Sequence, residues 1–259
     1  MSIEEARELL GNDFLGPEQV EQAFGVKLAV KEIPVLPYSR EDLETAKEQG
    51  EMLVLRIEHD DKGELITMEH LTRMFASQMP KNIKFLYAQE KAGNPKLGND
   101  CWYKNEHFFK QHSPKLEWKL VSKNVLPNST SKDYIEQTRI LREHLHNSLT
   151  PQELAECSDA KLEELRELMK TDWKKAAQQL SELLINQNHR RRPVEVLYDL
   201  ALRFGAQDER LLQDKRDWTC ACSSDGNLVS TGDFDAKGAR VNGWLPDSSN
   251  GDLGVVSSR

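Results

Sequence analysis

Two cysteines near the end of the chain have the residue type and spacing that come closest to a reactive pair. Cys220 and Cys222 form a C-x-C arrangement, and cysteine thiolates bind soft metals. Two thiolates alone rarely complete a metal site, and no histidine follows Thr219. With Cys101 and Cys157 the chain has 4 cysteines, too few and too scattered for a disulfide framework. We therefore expect reduced thiols and no cofactor.

A run of basic residues, His189-Arg190-Arg191-Arg192, could contact nucleic acid or an acidic partner. General nucleic-acid binding needs a basic face that neutralises phosphates, and the formal net charge of this chain is -8. We interpret the run as one whose positive charge complements the negative end of a preceding helix dipole and whose side chains solvate a linker. The sequence therefore disfavours a nucleic-acid partner.

The chain also lacks the features of a membrane or secreted protein. No stretch approaches the ~20 apolar residues that a membrane-spanning helix needs. The first residues, Met1 to Gly11, are acidic and amphipathic, whereas a secretory signal has a basic start and an apolar run. We expect no membrane contact and a cytoplasmic protein, unless a partner exports it.

Helices and strands must position these residues, and both are indicated over most of the chain. Apolar periodicity and capping residues predict helices at 3–10, 17–24, 39–50, 67–75 and 132–146, from 150 to 184, and at 193–201. Residues 52–57 and 116–126 read as strands, and 91–100 as a Gly/Asn/Pro-rich loop. These elements predict an α+β protein with enough residues for a sizeable core.

The final segment, residues 220–259, differs in composition from everything before it. It contains no Glu, Gln, Met or His, and only one Lys and one Trp. Glycines and short polar residues separate widely spaced apolar residues such as Val229, Phe234 and Val241. This pattern predicts short strands joined by tight turns.

The segment Arg192–Ala201 has proline at its second position and Glu195 in its first turn, which suits the start of a buried helix. It also resembles the helix that precedes the final sheet in formylglycine-generating-enzyme-like domains, a branch of the C-type lectin fold. In that family a tryptophan, a Gly-rich β region and an apolar strand ending in arginine follow. Trp218, the glycines and Leu253–Arg259 stand here in the same order. The resemblance covers about the last quarter of the chain well and the region from Leu116 loosely.

C-type lectin domains are the usual targets of diversity-generating retroelements, which randomise adenines in a C-terminal repeat. When an Asn codon is randomised at its adenines, the third base stays a pyrimidine, so Lys, Glu, Gln, Met and Trp cannot arise. The tail shows this restricted set of residues apart from Lys237 and Trp244. The stretch Asn242–Arg259 therefore resembles the variable repeat of such a protein.

A diversified binder needs variable side chains on a framework that does not change. The predicted core of the framework is Trp218, Phe234, Val241, Trp244, Leu253 and Val255, with turns at Gly226, Gly232, Gly238 and Gly254. We expect their exposed neighbours to be the variable, ligand-binding residues. They are Cys220, Ala221, Cys222, Asn227, Ser230, Asp233, Arg240, Asn242, Gly243, Leu245, Asp247, Ser248, Asn250 and Asp252.

The same resemblance leaves two other functions open. Formylglycine-generating enzymes hold copper with two active-site cysteines, and Cys220 and Cys222 lie near the corresponding region, although their spacing is closer. Sugar-binding lectins of this fold hold calcium with carboxylates, and the tail offers Asp225, Asp233, Asp235, Asp247 and Asp252. The calcium-binding signatures of these lectins, Glu-Pro-Asn or Gln-Pro-Asp and Trp-Asn-Asp, do not occur in the tail. Scattered aspartates commonly form turns.

The sequence thus predicts an α+β protein with a C-type lectin-like fold, helical insertions and a C-terminal variable β region. We assign residues 1–110 to an α+β region, either an accessory unit or part of the same core. Residues 111–259 form the lectin-like domain, with the variable region at about 220–259. The expected activity is non-catalytic binding of a macromolecule, a protein in our hypothesis, by a monomer.

Overall fold

Helices and two small sheets make up the described part of this computed structural model, which comprises residues 1–29, 33–78, 85–87 and 101–259. The predicted loop 91–100 lies outside it. The helices are α1 (Ile3–Leu10), α2 (Pro17–Phe24), α3 (Arg40–Glu48), α4 (Met68–Gln78), α5 (His107–Lys110), α6 (Tyr134–His144), α7 (Pro151–Glu156), α8 (Asp159–Thr171), α9 (Trp173–Glu182), α10 (Leu184–His189) and α11 (Pro193–Gln207). The strands are β1 (Phe14–Leu15), β2 (Glu51–Arg56), β3 (Glu117–Ser122), β4 (Arg216–Cys222), β5 (Leu228–Asp235), β6 (Gly238–Trp244) and β7 (Leu253–Gly254). The α+β class is therefore confirmed.

Local sequence signals account for where the helices begin. At α1 the Ser2 hydroxyl accepts the Glu5 backbone N–H at 3.1 Å, while the Glu5 carboxylate accepts the Ser2 N–H at 2.7 Å. This reciprocal pair satisfies two amides that the first helical turn leaves without partners. Thr150 and Glu153 form the same capping box at α7, and proline occupies the first turn of α2, α7 and α11.

The first sheet joins the two ends of the chain. Its order is β1-β2-β3, with β1 parallel and β3 antiparallel to β2. The chain end pairs with β3, because Leu120 and Arg259 exchange backbone hydrogen bonds of 3.0 and 2.9 Å. Residues before and after position 110 therefore share one sheet and one hydrophobic cluster, which extends from Ala6 to Val256.

The predicted strands of the tail form the second sheet, in the order β6-β5-β4-β7. Strands β4, β5 and β6 are antiparallel neighbours, and β7 lies parallel to β4. The predicted framework side chains are buried except for Trp244, which is half-buried; the buried ones are Trp218, Phe234, Val241, Leu253 and Val255.

Helix α11 lies at the centre of the molecule. Every residue from Pro193 to Phe204 is buried, so this helix contacts protein on all sides. It touches the first sheet through the Tyr198 hydroxyl, which donates to the Leu55 carbonyl at 3.0 Å. Its apolar residues share a cluster with Val229, Phe234 and Val241 of the second sheet. The motif that carries the family resemblance is thus the element on which both sheets pack.

Helices from the region 134–189 cover the other side of the second sheet. They form a second hydrophobic cluster with Trp218, Leu228, Leu253 and Val255. The Trp218 ring meets the Tyr134 ring edge-on, with centroids 5.1 Å apart. The apolar stripe of these helices is therefore core, as its spacing predicts.

The basic run His189–Arg192 is not the solvated linker that we expected, because Arg190 and Arg191 are buried. The Arg190 guanidinium lies 3.8 Å from the Tyr134 ring centroid and donates to the Trp218 carbonyl at 2.8 Å. Burial lowers the pKa of Arg190 from its ordinary value. These arginines are structural because the chain supplies buried acceptors for them.

Arg191 belongs to a chain of buried ion pairs. It donates to Asp217 and to Asp199, at 2.9 Å in both cases. Arg56 donates to both oxygens of Asp199, at 3.1 and 2.7 Å. The other Asp217 oxygen accepts the Val256 N–H at 2.9 Å. Burial raises the pKa of Asp217, and the positive charge of Arg191 opposes that rise.

Replacing Asp217 by asparagine tests this network. Asp217→Asn leaves Arg191 with one fewer buried counter-charge, which we expect to lower the free energy of unfolding by about 3–5 kcal/mol. Urea unfolding followed by circular dichroism measures the change. The matched control is Asp214→Asn at an exposed position, with an expected change of under about 0.5 kcal/mol. A loss below about 1 kcal/mol for Asp217→Asn would contradict the role assigned to the network.

Glu153 makes stability depend on pH in the acid range. Burial raises the pKa of its carboxyl group, but hydrogen bonds from Asn188 and Thr150 outweigh burial and lower it to about 2. A lowered pKa stabilises the fold above the ordinary value of 4.5, and this contribution disappears as the pH falls toward 2.

We therefore expect Glu153→Gln to be less stable than the unaltered protein by roughly 3 kcal/mol at pH 7. The difference should shrink progressively between pH 4.5 and 2, the window set by the two pKa values. Urea unfolding at a series of pH values measures it, with exposed Glu143→Gln as the control. A difference that stays constant from pH 5 to pH 3 would exclude this assignment.

Candidate functional site

The predicted variable residues on β6 lie on the last strand in the order β6-β5-β4-β7 of the second sheet. On the other side of β6, the Ala239 N–H donates to the Phe85 carbonyl at 2.8 Å, and Ala239 forms an isolated bridge with Leu86. Arg240 stands opposite Gly232 of β5, and Gly232 stands opposite Arg216 of β4. Both arginines therefore flank the glycine on one face. A Cβ on Gly232 would come 2.5 Å from the Lys215 carbonyl oxygen, so only glycine fits there.

Three predicted variable residues meet in a charged cluster around that glycine. Arg216 Nη2 lies 2.8 Å from Asp252 Oδ2 and 3.6 Å from Asp233 Oδ2. Arg240 pairs with Asp233 and, at 3.4 Å, with Asp235. The cluster is half-buried, so its ion pairs orient these side chains more than they stabilise the fold.

A tryptophan completes the charged cluster from β6. The Arg216 guanidinium lies 5.6 Å from the Trp244 ring centroid, and the Trp244 indole donates to the Ser230 hydroxyl at 2.8 Å. Arg216 was not among the residues predicted from the sequence. Arg216 lies two residues before Trp218 on β4, and side chains two residues apart on a strand point to the same face of the sheet. This spacing is the sequence feature from which its position could have been predicted.

The loop after β6 combines a fixed backbone with exposed side chains. The Pro246 carbonyl accepts the Tyr134 N–H at 3.0 Å, and the Asn250 carbonyl accepts the Ser131 N–H at 2.8 Å. Leu245, Asp247 and Asn250 are exposed, and Leu245 keeps 43% of its surface. These side chains can change without loss of the hydrogen bonds that hold the loop, since those bonds use backbone atoms of the loop.

The turn between β4 and β5 presents another part of the same surface. Asp225 Oδ1 accepts the Asn227 N–H at 3.3 Å, and the exposed Ser224 bonds to the Glu106 carboxylate through its N–H and hydroxyl at 2.8 and 2.7 Å. A Cβ on Gly243 would lie 3.1 Å from the Asn227 Cβ, so these two predicted variable positions constrain each other. Glu106 is a further residue that sequence reasoning missed.

Three residues that we expected to be exposed are buried. The exposed fractions of Cys220, Ala221 and Ser230 are 4%, 6% and 0%. They lie on β4 and β5, the interior strands of the second sheet, where helices cover one face and the α11 core covers the other. The exposure predicted for these three residues is wrong. The remaining predicted residues are half-buried or exposed: Cys222, Asn227, Asp233, Arg240, Asn242, Gly243, Leu245, Asp247, Ser248, Asn250 and Asp252.

The cysteine pair does not fit a two-thiolate copper centre. Burial raises the pKa of Cys220 to about 12, and burial also raises the pKa of Cys222 above its ordinary value. Both thiols are therefore protonated at neutral pH, whereas metal binding needs the thiolate. Cys222 instead lines a groove of about 550 Å³ between α9 and the turn after β4.

The tail aspartates do not form an open calcium site either. Asp233, Asp235 and Asp252 are paired with Arg216 or Arg240. Each of these three carboxylate groups therefore already has an arginine partner, which offsets the negative charge that it could offer to a cation.

Elsewhere in the described residues, Asp60, Glu64 and His70 are the one group with metal-ligand atoms within 4.8 Å of one another. Both His70 nitrogens already lie near carboxylates, with Nε2 3.0 Å from Asp60 and Nδ1 3.1 Å from Glu64. Asp60 also accepts the Lys62 and Glu64 N–H groups. Asp60 thus forms a turn, and both of its neighbours in the group are already in contact within the protein.

No protein-family model, curated protein or solved structure matches this chain. Within the described residues, no helix has the length and apolar character needed to cross a membrane.

The buried thiols give a direct test of the site chemistry. We expect iodoacetamide at pH 7.5 to alkylate Cys220 at least ~100-fold more slowly in the folded protein than in urea, because its thiolate is scarce and enclosed. Half-buried Cys222 should react faster than Cys220 in the folded state. Mass spectrometry of the digested protein reports each cysteine separately. Rapid labelling of Cys220 in the native protein would show that it is an accessible thiolate after all.

Proposed function

We propose that this protein binds a macromolecular ligand, most simply another protein, through a C-terminal surface that a diversity-generating retroelement varies. The fold proposed with it is C-type lectin-like, of the formylglycine-generating-enzyme branch, with α6–α10 as a helical insertion. This is recognition without catalysis. The proposal rests on the restricted residue alphabet of the tail and its agreement with the geometry of the surface.

The observation that carries the proposal is the loop after β6. Its backbone is held by Tyr134 and Ser131, which lie outside the tail, while Leu245, Asp247 and Asn250 extend into solvent. A varied surface needs this separation, because substitutions on it must leave the fold intact. The buried residues of the tail provide the constant part.

The residues now present offer polar contacts and few large anchors. The exposed positions after β6 carry one apolar side chain, Leu245, beside Asp247 and Asn250. Trp102 adds an exposed ring, and its indole donates to the Val241 carbonyl at 3.2 Å. Aromatic and arginine side chains dominate strong interfaces, so this variant should bind its target weakly.

The two alternative functions lack a supporting observation. An oxidase that uses Cys220 and Cys222 needs thiolates, and burial keeps both thiols protonated. A calcium-dependent lectin needs free carboxylates, and those of Asp233 and Asp252 pair with arginines.

The genomic test is to sequence the DNA around the gene. The proposal requires a near-copy of the region that encodes Gly226–Arg259, differing only at adenines and located beside a reverse transcriptase. If the flanking DNA contains no such copy, the diversified function is wrong. The tail is then an ordinary β sheet.

A display experiment tests the surface itself. One library randomises Leu245, Asp247, Ser248 and Asn250, and a matched library randomises the buried Cys220, Ala221 and Ser230. We expect most members of the first library to fold, with stability changes within about 0.5 kcal/mol, and selection on protein targets to yield binders. Most members of the second should not fold, since core sites tolerate little change in volume. Equal loss of folding in both libraries would contradict the proposal.

A further inference from the structure

A second concave site lies apart from the tail surface. It is a cleft of about 400 Å³ between β3, α7, α10 and the start of α11, and none of its described lining residues belongs to the predicted variable set. This volume lies in the range of small-molecule sites. Arg56, Lys115, Lys119, His189 and Ser258 are among the lining residues.

Two of the acidic groups in the cleft already have partners. Glu153 accepts hydrogen bonds from Thr150, Asn188 and His189. Glu195 accepts the Arg192 backbone N–H at 2.7 Å and its guanidinium at 3.2 Å. Their lone pairs are therefore largely used within the protein, and they offer little to a cationic ligand.

The unused hydrogen-bonding capacity lies instead on Arg56, Ser258 and His189. Among the described residues, Arg56 Nη1, Ser258 Oγ and His189 Nδ1 are buried atoms without a hydrogen-bond partner. Arg56 is 0% exposed, and its Nη1 lies 3.6 Å from Glu195, beyond hydrogen-bond distance. Buried polar atoms in native proteins are nearly always satisfied, so the three lining residues that carry these atoms make the cleft a candidate site for a polar group.

The charged residues that line the cleft indicate whether a bound group would be a cation or an anion. The lining contains five lysines and arginines against three glutamates, in a chain whose net charge is -8. Lys119 is half-buried and lies 3.9 Å from Glu117, too far for a hydrogen bond, and Lys115 is exposed. These cations at the cleft favour an anion.

The histidine adds a detail about the ligand. His189 Nε2 faces the Glu153 carboxylate, which only accepts hydrogen bonds, so Nε2 bears the proton of the neutral ring. The Nδ1 atom is then an acceptor. A hydroxyl group on the ligand, such as that of hydrogen phosphate or a hydroxy acid, would satisfy it.

We propose that this cleft binds a small oxyanion, a phosphate or hydroxycarboxylate group, through Arg56, Ser258 and the two lysines. The guanidinium and the serine hydroxyl donate to its oxygens, and Lys115 and Lys119 balance its charge. The proposal does not require the variation proposed for the tail, because Ser258, the one described lining residue that belongs to the tail, is outside the predicted variable set.

Isothermal titration of the full chain at low ionic strength and pH 7 tests this proposal, with inorganic phosphate and citrate as separate probes. We expect at least one of them to bind with Kd below about 1 mM. Binding of phosphate alone identifies a phosphate ligand, and binding of citrate alone identifies a carboxylate.

Variants at Ser258 and Lys119 locate the binding. Ser258→Ala removes a hydroxyl that has no partner in the described protein, so the fold should not suffer, and Lys119→Ala removes a cation at the cleft. Each should weaken binding at least about 5-fold. The matched controls are Ser257→Ala, whose orphan hydroxyl lies outside the cleft lining, and Lys132→Ala at an exposed position.

We expect the Kd of both control variants to lie within about 2-fold of the Kd of the unaltered protein. Failure of both probes to bind would overturn the proposal and leave water as the occupant of the cleft. Equal weakening by the cleft and control variants would overturn it as well, since the binding would then be unspecific.

Discussion

The buried ion pairs between Arg56, Asp199, Arg191 and Asp217 are the constraint on which the rest of the structure depends. They join the end of β2 to α11, α11 to the segment before it, and that segment to β4. A buried charge without a partner is costly, so each of these groups has one low-energy position relative to the others. Asp217 also accepts the Val256 N–H, which fixes the end of the chain. The relative placement of the two sheets thus follows from satisfying four charges, in addition to hydrophobic packing.

This arrangement separates what can vary in the tail from what cannot. Residues of β4 and β5 contact a hydrophobic cluster on each face, so a change of volume there disturbs packed side chains. Residues 245–250 of the loop after β6 hydrogen-bond to Tyr134 and Ser131 through backbone carbonyls, which every residue provides. Between these extremes lies the cluster of Arg216, Asp233, Arg240 and Asp252. Its members are coupled, since loss of one acid leaves an arginine with fewer partners.

Local signals in the sequence predicted most of the elements, because helix caps and strand alternation depend on neighbouring residues. Ser2 with Glu5 and Thr150 with Glu153 marked helix starts that the structure confirms. Burial of Arg190 and Arg191 could not be predicted in this way. The acceptors of Arg191 are 8 and 26 residues away, and nothing local distinguishes them from surface aspartates. The predicted exposure of Ser230 was wrong for a related reason. Alternation of apolar and polar residues identifies a strand, but the order of strands in the sheet decides whether its outer face meets solvent or a layer of helices.

The short segment from Leu253 to Arg259 connects these features and limits how far change in the tail can spread. It pairs with β4 at Leu253, bonds to Asp217 at Val256 and pairs with β3 at Arg259. The loop that precedes it is therefore held by fixed structure at both ends, with β6 before it and β7 after it. A substitution at Asp247 or Asn250 therefore alters an exposed side chain between two strands that are each paired in the second sheet. The cleft at Ser258 lies beyond the second anchor, so its geometry should be the same in every variant of the surface.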